Sequence, residues 1–138
     1  PGGGAPPATV AEAGLPPDVT ARLTAAYGSR ADGVLQVAHA SADLAQRIDP
    51  ELPYLWAEVV HAVRSEHARS VADVLRRRVP LYRDARDQGL GAADRVAQIL
   101  TDELAWPPAR RARTLLDYRA DVDRSRRWRD DPPPLTGS

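Results

Sequence analysis

The sequence predicts an all-α fold, a compact bundle of about five to six short-to-medium helices with disordered Pro/Gly-rich ends. Apolar residues recur at helical spacing across positions 15–128, and no window shows the sustained two-residue alternation of a strand. Eight of the 13 prolines lie at or before Pro17 or at positions 132–134. We therefore predict a flexible linker at 1–14, a helical domain at 15–128 and a disordered tail at 129–138.

Length and charge limit the classes of protein that fit. The chain has 138 residues, enough for one core, and its 19 basic residues balance 19 acidic ones. This balance argues against non-specific nucleic-acid binding, which needs a strongly basic field. The absence of cysteine excludes disulfides and thiolate metal sites.

No apolar run approaches 20 residues, so we expect neither a membrane-spanning helix nor a secretory signal. Because the chain begins at Pro1, we interpret it as a piece of a longer protein.

Three helices are predicted in the first half. The first begins at an N-cap, Asp18, and stops at Gly28, and the second spans 29–40. The third, 54–68, is apolar over more than half its circumference and is predicted to be central. The residues predicted to face inward on the first and third helices are Val19, Leu23, Ala26, Tyr27, Leu55, Trp56, Val59, Val60, Ala62 and Val63.

Three further helices are predicted in the second half. The fourth starts with a capping box formed by Ser70 and Asp73 and ends near Val79, before Pro80. The fifth spans 92–105, and the sixth begins at Pro108. The residues predicted to face inward on the last two helices are Val96, Ile99, Leu100, Leu104, Ala112, Leu115, Leu116 and Val122.

No motif for catalysis or cofactor binding is evident. Gly89-Leu90-Gly91 lacks both the preceding strand and the third glycine of a dinucleotide fingerprint, and no serine sits in a nucleophile elbow. His61 and His67 lie about 120° apart around a helix, so they do not share a metal from one face. We expect no catalytic, cofactor-binding or metal-binding residue in this chain.

Two arginine clusters stand out. Arg76-Arg77-Arg78, with Arg69, Arg83 and Arg86 nearby, is either a solvated helix end or a docking surface, because guanidinium groups bind carboxylate or phosphate in a bidentate manner. The second cluster surrounds Trp128. A single tryptophan followed by two aspartates does not make a nucleic-acid stacking platform, so we interpret this cluster as a helix cap.

Three blocks of sequence carry a family resemblance. Residues 52–78 read LPYLWAEVVHAVRSEHARSVADVLRRR, residues 26–31 read AYGSRA and residues 102–106 read DELAW. This ordered set resembles the C-terminal helical domain of the FAD-dependent, quinone-linked glycerol-3-phosphate dehydrogenase and alpha-glycerophosphate oxidase family. The similarity covers positions 15–122.

The resemblance implies a function for a larger parent protein. Such a parent oxidises sn-glycerol 3-phosphate to dihydroxyacetone phosphate, passes electrons through FAD to quinone, and is cytoplasmic, peripheral on the cytoplasmic face of the inner membrane. The flavin and substrate groups of that family belong to the preceding domain. We therefore expect this fragment to carry no cofactor and to be inactive when isolated.

The resemblance also implies partners. The flavin domain of the parent and a second subunit in a homodimer are the expected ones, with no nucleic acid and no direct insertion into a membrane. The candidate interface residues are Glu66, Arg69, Asp73, Arg77 and Arg78. The alternative is a free-standing helical module that binds an acidic protein or nucleic acid through its arginines.

Overall fold

The computed structural model describes residues 14–130. In that range the chain forms six α-helices and no β-strand, which confirms the predicted all-α fold. The chain divides into two compact units, which meet in sequence between Ala68 and Arg69. Apart from Gly14 and the helical residues 129–130, the predicted linker at 1–14 and the predicted tail at 129–138 lie outside the described residues.

The N-terminal unit contains three α-helices, α1 (Pro17–Tyr27), α2 (Ala31–Ala40) and α3 (Trp56–Ser65), with 3-10 turns at Gly28–Arg30 and Ala42–Ala45. Helix α3 packs against α2. Its residues from Trp56 to Val63 are buried around the whole circumference, as predicted for a central helix. The core of this unit is completed by Val19, Leu23, Tyr27, Ala31, Val34, Leu35, Val37 and Ala38.

Helix α1 differs from the prediction at its start. Pro16 occupies the N-cap position and Pro17 begins the helix, so the predicted cap, Asp18, lies inside the first turn. Its carboxylate accepts hydrogen bonds from Arg47 at 2.6 and 2.8 Å, which lower the pKa of Asp18. Ala26, predicted to face inward, is exposed because the buried residues of α1 recur every four positions.

Helix α3 is shorter than the predicted 54–68. Its N-terminal flank is extended: the Ile48 N–H donates to the Tyr54 carbonyl at 2.8 Å, and the Trp56 N–H donates to the Gln46 carbonyl at 3.1 Å. At the other end His67 adopts a φ of 62°, and the Ala68 N–H reaches back to the Ala62 carbonyl at 3.0 Å. Tertiary backbone pairing and a left-handed residue thus set the two ends.

The C-terminal unit contains a π-helix (Asp73–Arg78), α4 (Leu81–Asp84), α5 (Leu90–Leu104) and α6 (Pro108–Asp130). The predicted fourth α-helix therefore turns into a π-helix. Residues 71–72 are α-helical ahead of the π-helix, and Ser70 caps this start as predicted, because its Oγ accepts from the Asp73 N–H at 3.0 Å. The Asp73 carboxylate accepts from the Arg69 N–H at 3.0 Å.

Helix α6 corrects the predicted inward face of the last helix. Leu115 and Val122 are buried as predicted, but Leu116 is 63% exposed and Ala112 is exposed. Thr114 and Tyr118 are buried instead, because each polar tip has a partner. The Thr114 Oγ accepts from the Val71 N–H at 3.0 Å, and the Tyr118 hydroxyl donates to the Gln88 carbonyl. On α5, Ile99 and Leu104 are only half-buried.

Candidate functional site

The N-terminal unit encloses a charged side chain, Glu58 of α3, which is fully buried. One carboxylate oxygen, Oε1, accepts from the Arg22 guanidinium and from the Tyr27 hydroxyl, the latter at 3.0 Å. The other, Oε2, accepts from the Leu55 N–H at 2.8 Å and so caps α3. Both oxygens accept hydrogen bonds from groups of the same unit. Two of these donors, Arg22 and Tyr27, lie on α1 and so connect that helix to α3.

Aromatic rings pack around the Glu58–Arg22 ion pair. We name the ion pair and these rings together the Glu58 network, which consists of Arg22, Tyr27, Tyr54, Glu58 and His61. The Arg22 guanidinium carbon lies 4.1 Å from the centre of the Tyr54 ring, a cation–π geometry. The Tyr27 and His61 rings meet edge to face with centres 5.6 Å apart. These rings pack around the buried Glu58 carboxylate, while the Arg22 side chain remains 19% exposed.

Burial shifts two pKa values in the Glu58 network. The pKa of Tyr27 is raised, chiefly because burial penalises the phenolate and also because Glu58 is close. Burial lowers the pKa of His61, against the opposing pull of the Glu66 and Glu58 carboxylates. His61 also touches α2 closely: a Cβ placed on Gly33 would lie 2.9 Å from its Cε1. Burial therefore favours the neutral form of this imidazole, which lies close to the α2 backbone at Gly33.

The C-terminal unit has a group of charged side chains at its surface. We name the exposed side chains of Arg76, Arg77, Arg78, Arg83 and Arg86 the arginine face. Arg76 stacks on Tyr82, with its guanidinium carbon 4.5 Å from the ring centre, and lies 3.5 Å from an Asp121 oxygen. Arg83 makes two hydrogen bonds to Asp84, at 2.7 and 3.2 Å. This surface is mixed, with arginines outnumbering the carboxylates between them.

Two clefts open on the arginine face. The Arg77 cleft, about 330 Å³, is lined by Ala72, Asp73, Arg76 and Arg77. The Arg86 cleft, about 470 Å³, is lined by Tyr82, Arg83, Asp84, Ala85, Arg86, Gln88 and Ser125. The stacked pair of Arg76 and Tyr82 contributes one residue to each cleft and so forms the ridge between them.

The Arg86 cleft has a fixed floor. Gln88 is buried and adopts a φ of 56°, which is uncommon for a residue with a side chain. Its amide is fixed by two bonds from α6, since its Nε2 donates to the Ser125 Oγ at 3.4 Å and its Oε1 accepts from the Arg126 Nε at 3.1 Å. The cleft is therefore shaped before anything binds in it.

The predicted interface residues divide between the two units. Glu66 lies in the N-terminal unit, 3.4 Å from the Arg30 guanidinium. Arg69, Asp73, Arg77 and Arg78 lie in the C-terminal unit, where Asp73 and Arg77 line the same cleft. Gln88 and Ser125 were missed by sequence reasoning. They are 37 positions apart, so no local pattern joins them.

The Gly89-Leu90-Gly91 stretch does not fit a flavin phosphate. The Gly89 and Gly91 N–H groups both donate to the Asp87 carboxylate, at 2.8 Å each. A carboxylate thus already occupies the start of α5, where a dinucleotide phosphate would bind in a fingerprint motif. We derive no FAD site from these residues.

Residues 14–130 contain neither a metal-binding cluster nor a membrane-spanning helix. That part of the chain holds no group of three or more histidine, aspartate or glutamate side chains placed to bind a metal ion. Of the two histidines considered for a metal, His61 is buried in α3 and His67 is exposed beyond its end. No helix in the same range combines the length and the apolar character needed to cross a membrane.

Fold and site together define an all-helical domain in which Glu58 is buried and paired and the arginine face is exposed. Residues 3–111 match the family model described as the C-terminal domain of alpha-glycerophosphate oxidase. The chain belongs to this family. Helix α6 continues well past the matched residues.

Relatives of this chain are named as glycerol-3-phosphate dehydrogenases. One from Synechocystis sp. is 39% identical over 80 residues, 58% of this chain and 14% of the relative. A probable mitochondrial one from Caenorhabditis elegans is 32% identical over 118 residues, 83% of this chain and 16% of the relative. Glycerol-3-phosphate dehydrogenase 2 of Mycobacterium bovis is 30% identical over 110 residues, 80% of this chain and 19% of the relative. The chain thus spans less than a fifth of each relative's length. No solved structure matches it.

Proposed function

We propose that this chain is the C-terminal accessory domain of an FAD-dependent glycerol-3-phosphate dehydrogenase. The parent would oxidise sn-glycerol 3-phosphate to dihydroxyacetone phosphate and pass the electrons to quinone. The observation that carries the proposal is the family match over residues 3–111, supported by three relatives that share the dehydrogenase name. FAD and the substrate would be bound by the preceding part of the parent.

The role proposed for this domain is structural rather than catalytic. The buried carboxylate of Glu58 is fully engaged within its own unit, and the start of α5 is closed by Asp87. The exposed arginine face supports a docking role, because arginine is favoured at protein interfaces. We propose that this face packs on the flavin domain, on a second subunit, or on both.

The proposed location follows that of the parent. A dehydrogenase that passes electrons to membrane quinone must reach the membrane, so we propose a cytoplasmic, peripheral position on the inner face of the membrane. The accessory domain would take this position through its parent and would not insert into the bilayer.

A domain exchange tests the proposed function. The segment of the Synechocystis dehydrogenase that matches this chain is deleted or replaced by this chain, and dye-linked oxidation of glycerol 3-phosphate is measured. We expect the deletion to lose activity and the chimera to regain it. A chimera that folds, binds flavin and stays as inactive as the deletion would contradict the proposal.

The isolated chain provides a second test. Mixed with FAD and glycerol 3-phosphate, it should neither retain flavin nor reduce the dye, because the redox chemistry is assigned to the preceding domain. Turnover by the isolated chain would overturn the accessory role.

The competing function is a free-standing module that binds an acidic protein or nucleic acid. The observation that favours it is the same arginine face, which lies in a unit that folds around its own core. A salt-dependent shift of labelled DNA at physiological ionic strength, together with an inactive chimera, would favour this function instead.

A further inference from the structure

Charge is divided unequally between the two units. Residues 14–68 contain four arginines and seven acidic residues, a net charge of −3. Residues 69–128 contain 14 arginines and nine acidic residues, a net charge of +5. The neutral charge of the whole chain therefore conceals a basic C-terminal unit, and the arginine face belongs to that unit.

Arg77 differs from the other arginines of this face in its pairing. Asp73 lies four positions before Arg77, and the sequence suggests that the two neutralise each other. In the structure the Asp73 carboxylate accepts instead from the Arg69 N–H. Among the residues that the structure describes, none pairs with the Arg77 guanidinium, which therefore faces its cleft with its donors available.

The Arg86 cleft adds a second set of donors. The Ser125 Oγ accepts a hydrogen bond from Gln88, so its own O–H can donate into the cleft. Arg86 and Arg83 stand at the same cleft. Asp87 is turned away from it, because its carboxylate binds the start of α5. Both clefts thus carry positive charge, and the Arg77 guanidinium at one and the Ser125 hydroxyl at the other are hydrogen-bond donors.

The mixture of charges selects the type of anion. Each cleft is lined by two arginines and one aspartate, Asp73 or Asp84, so each has a net charge of +1, which one carboxylate neutralises, and neither offers the continuous positive charge that a row of phosphates requires. Arg76 covers one face of the Tyr82 ring and Tyr118 meets the ring edge to face at 6.2 Å between centres, so this aromatic ring is already packed within its unit. Two separate clefts suit separate carboxylates instead.

We infer that the arginine face docks an acidic protein segment, with one carboxylate in the Arg77 cleft and a second in the Arg86 cleft, on either side of the Arg76–Tyr82 ridge. This inference rests on the proposed function, because it gives the chemistry of the partner on which the accessory domain packs. It extends the predicted interface from Arg77 and Arg78 to Arg86 and Ser125.

A peptide-binding experiment tests the inference on the whole chain. The probe is a fluorescein-labelled peptide of alternating glutamate and glycine, and the reference probe has glutamine in place of glutamate. We expect binding of the glutamate peptide alone, weakening as salt is added. Arg77→Gln and Arg86→Gln should each weaken it about fivefold.

The matched control is Arg113→Gln. It removes the same charge from an arginine of the C-terminal unit that is 76% exposed and paired with Asp117 on α6. Its affinity for the glutamate peptide should be unchanged. Equal binding of the two peptides, or an equal loss in the Arg113 control, would overturn the inference.

Two further probes separate the other anions. Duplex DNA and vesicles of phosphatidylcholine with phosphatidylglycerol are titrated under the same conditions. We expect both to bind more weakly than the glutamate peptide. Tighter binding of either one, lost in Arg77→Gln, would replace the acidic segment with that partner and overturn the inference.

The domain exchange distinguishes the two proposals. If the chimera is active but no acidic peptide binds, the inference falls and the proposed function stands. If the peptide binds as expected but the chimera is inactive, the arginine face is a docking site and the accessory function falls.

Discussion

Glu58 in the N-terminal unit and Arg77 in the C-terminal unit carry charge in opposite ways. Glu58 is fully buried, and Arg22, Tyr27 and the Leu55 N–H satisfy its two oxygens. Arg77 is exposed, and its sequence neighbour Asp73 is occupied by the Arg69 N–H. The first charge is already neutralised by its own unit, whereas the second is available to a partner.

The contrast teaches where to look for function in a helical domain. A buried ion pair costs desolvation free energy and is destabilising to break, so it specifies how two helices pack. An exposed arginine costs little and contributes little to folding, so its role has to be sought in binding.

Replacement of the buried carboxylate should have the largest effect. Glu58→Ala leaves the Arg22 guanidinium, the Tyr27 hydroxyl and the Leu55 N–H without their acceptor, and we expect a loss of about 3 kcal/mol in the free energy of unfolding. Urea denaturation followed by circular dichroism measures it. The control Asp117→Asn breaks an exposed pair and should cost about 0.5 kcal/mol or less. Equal losses of unfolding free energy in the two variants would contradict the proposed difference between buried and exposed charges.

Removal of the Ser70 cap should have a smaller effect. Ser70→Ala deletes the oxygen that accepts from the Asp73 N–H, and we expect a loss of about 1 kcal/mol in the free energy of unfolding. Ser70→Thr keeps a hydroxyl at this position and serves as the control. Chemical denaturation in which the alanine and threonine variants behave alike would show that this cap does not stabilise the π-helix.

His61 should make stability depend on pH. Its folded pKa lies below the ordinary value of about 6.5, so the unfolded state binds the proton first as the pH falls. Stability should therefore decrease as the pH drops through about 6.5 toward the folded pKa. His61→Gln should flatten this decrease in urea midpoints measured across the range, whereas the exposed His39→Gln should retain it. A wild-type midpoint that rises on acidification would contradict the assigned burial.

Removal of the Arg77 charge should change stability least. Arg77→Gln affects an exposed side chain, so its free energy of unfolding should stay within about 0.5 kcal/mol of the wild type. The same variant should lose binding to the acidic peptide. A large loss of stability would mean that Arg77 belongs to the folded network, as Glu58 does, and the two regions would no longer differ.

The sequence predicted much of the fold because helical periodicity is local. The buried residues Val19, Leu23 and Tyr27 repeat every four positions, and α3 was expected to be central from its apolar circumference. Helix ends were less accurate, since α3 is bounded by the pairing of Ile48 with Tyr54 and by the left-handed His67. The prediction that Leu116 faces inward was wrong, because it rested on hydrophobicity alone and the side chain is exposed.

The candidate site was predicted only in part. Asp73 and Arg77 were identified because arginine clusters and capping residues are visible in a short window. Gln88 and Ser125 were not, since they meet only after α6 returns to the loop before α5. Burial of Glu58 with Arg22 depends on the packing of α1 against α3, 36 positions apart.

By itself the sequence determined the helical class, the positions of most helices, the capping hydroxyl of Ser70 and the family. These depend on neighbours within one or two turns, where spacing and residue type act directly. Only the tertiary structure decided which polar groups are buried, such as Thr114 and Tyr118, and that Arg77 has no partner among the described residues. The physical reason is that a polar side chain can be buried only where a distant part of the chain supplies its hydrogen-bonding partner.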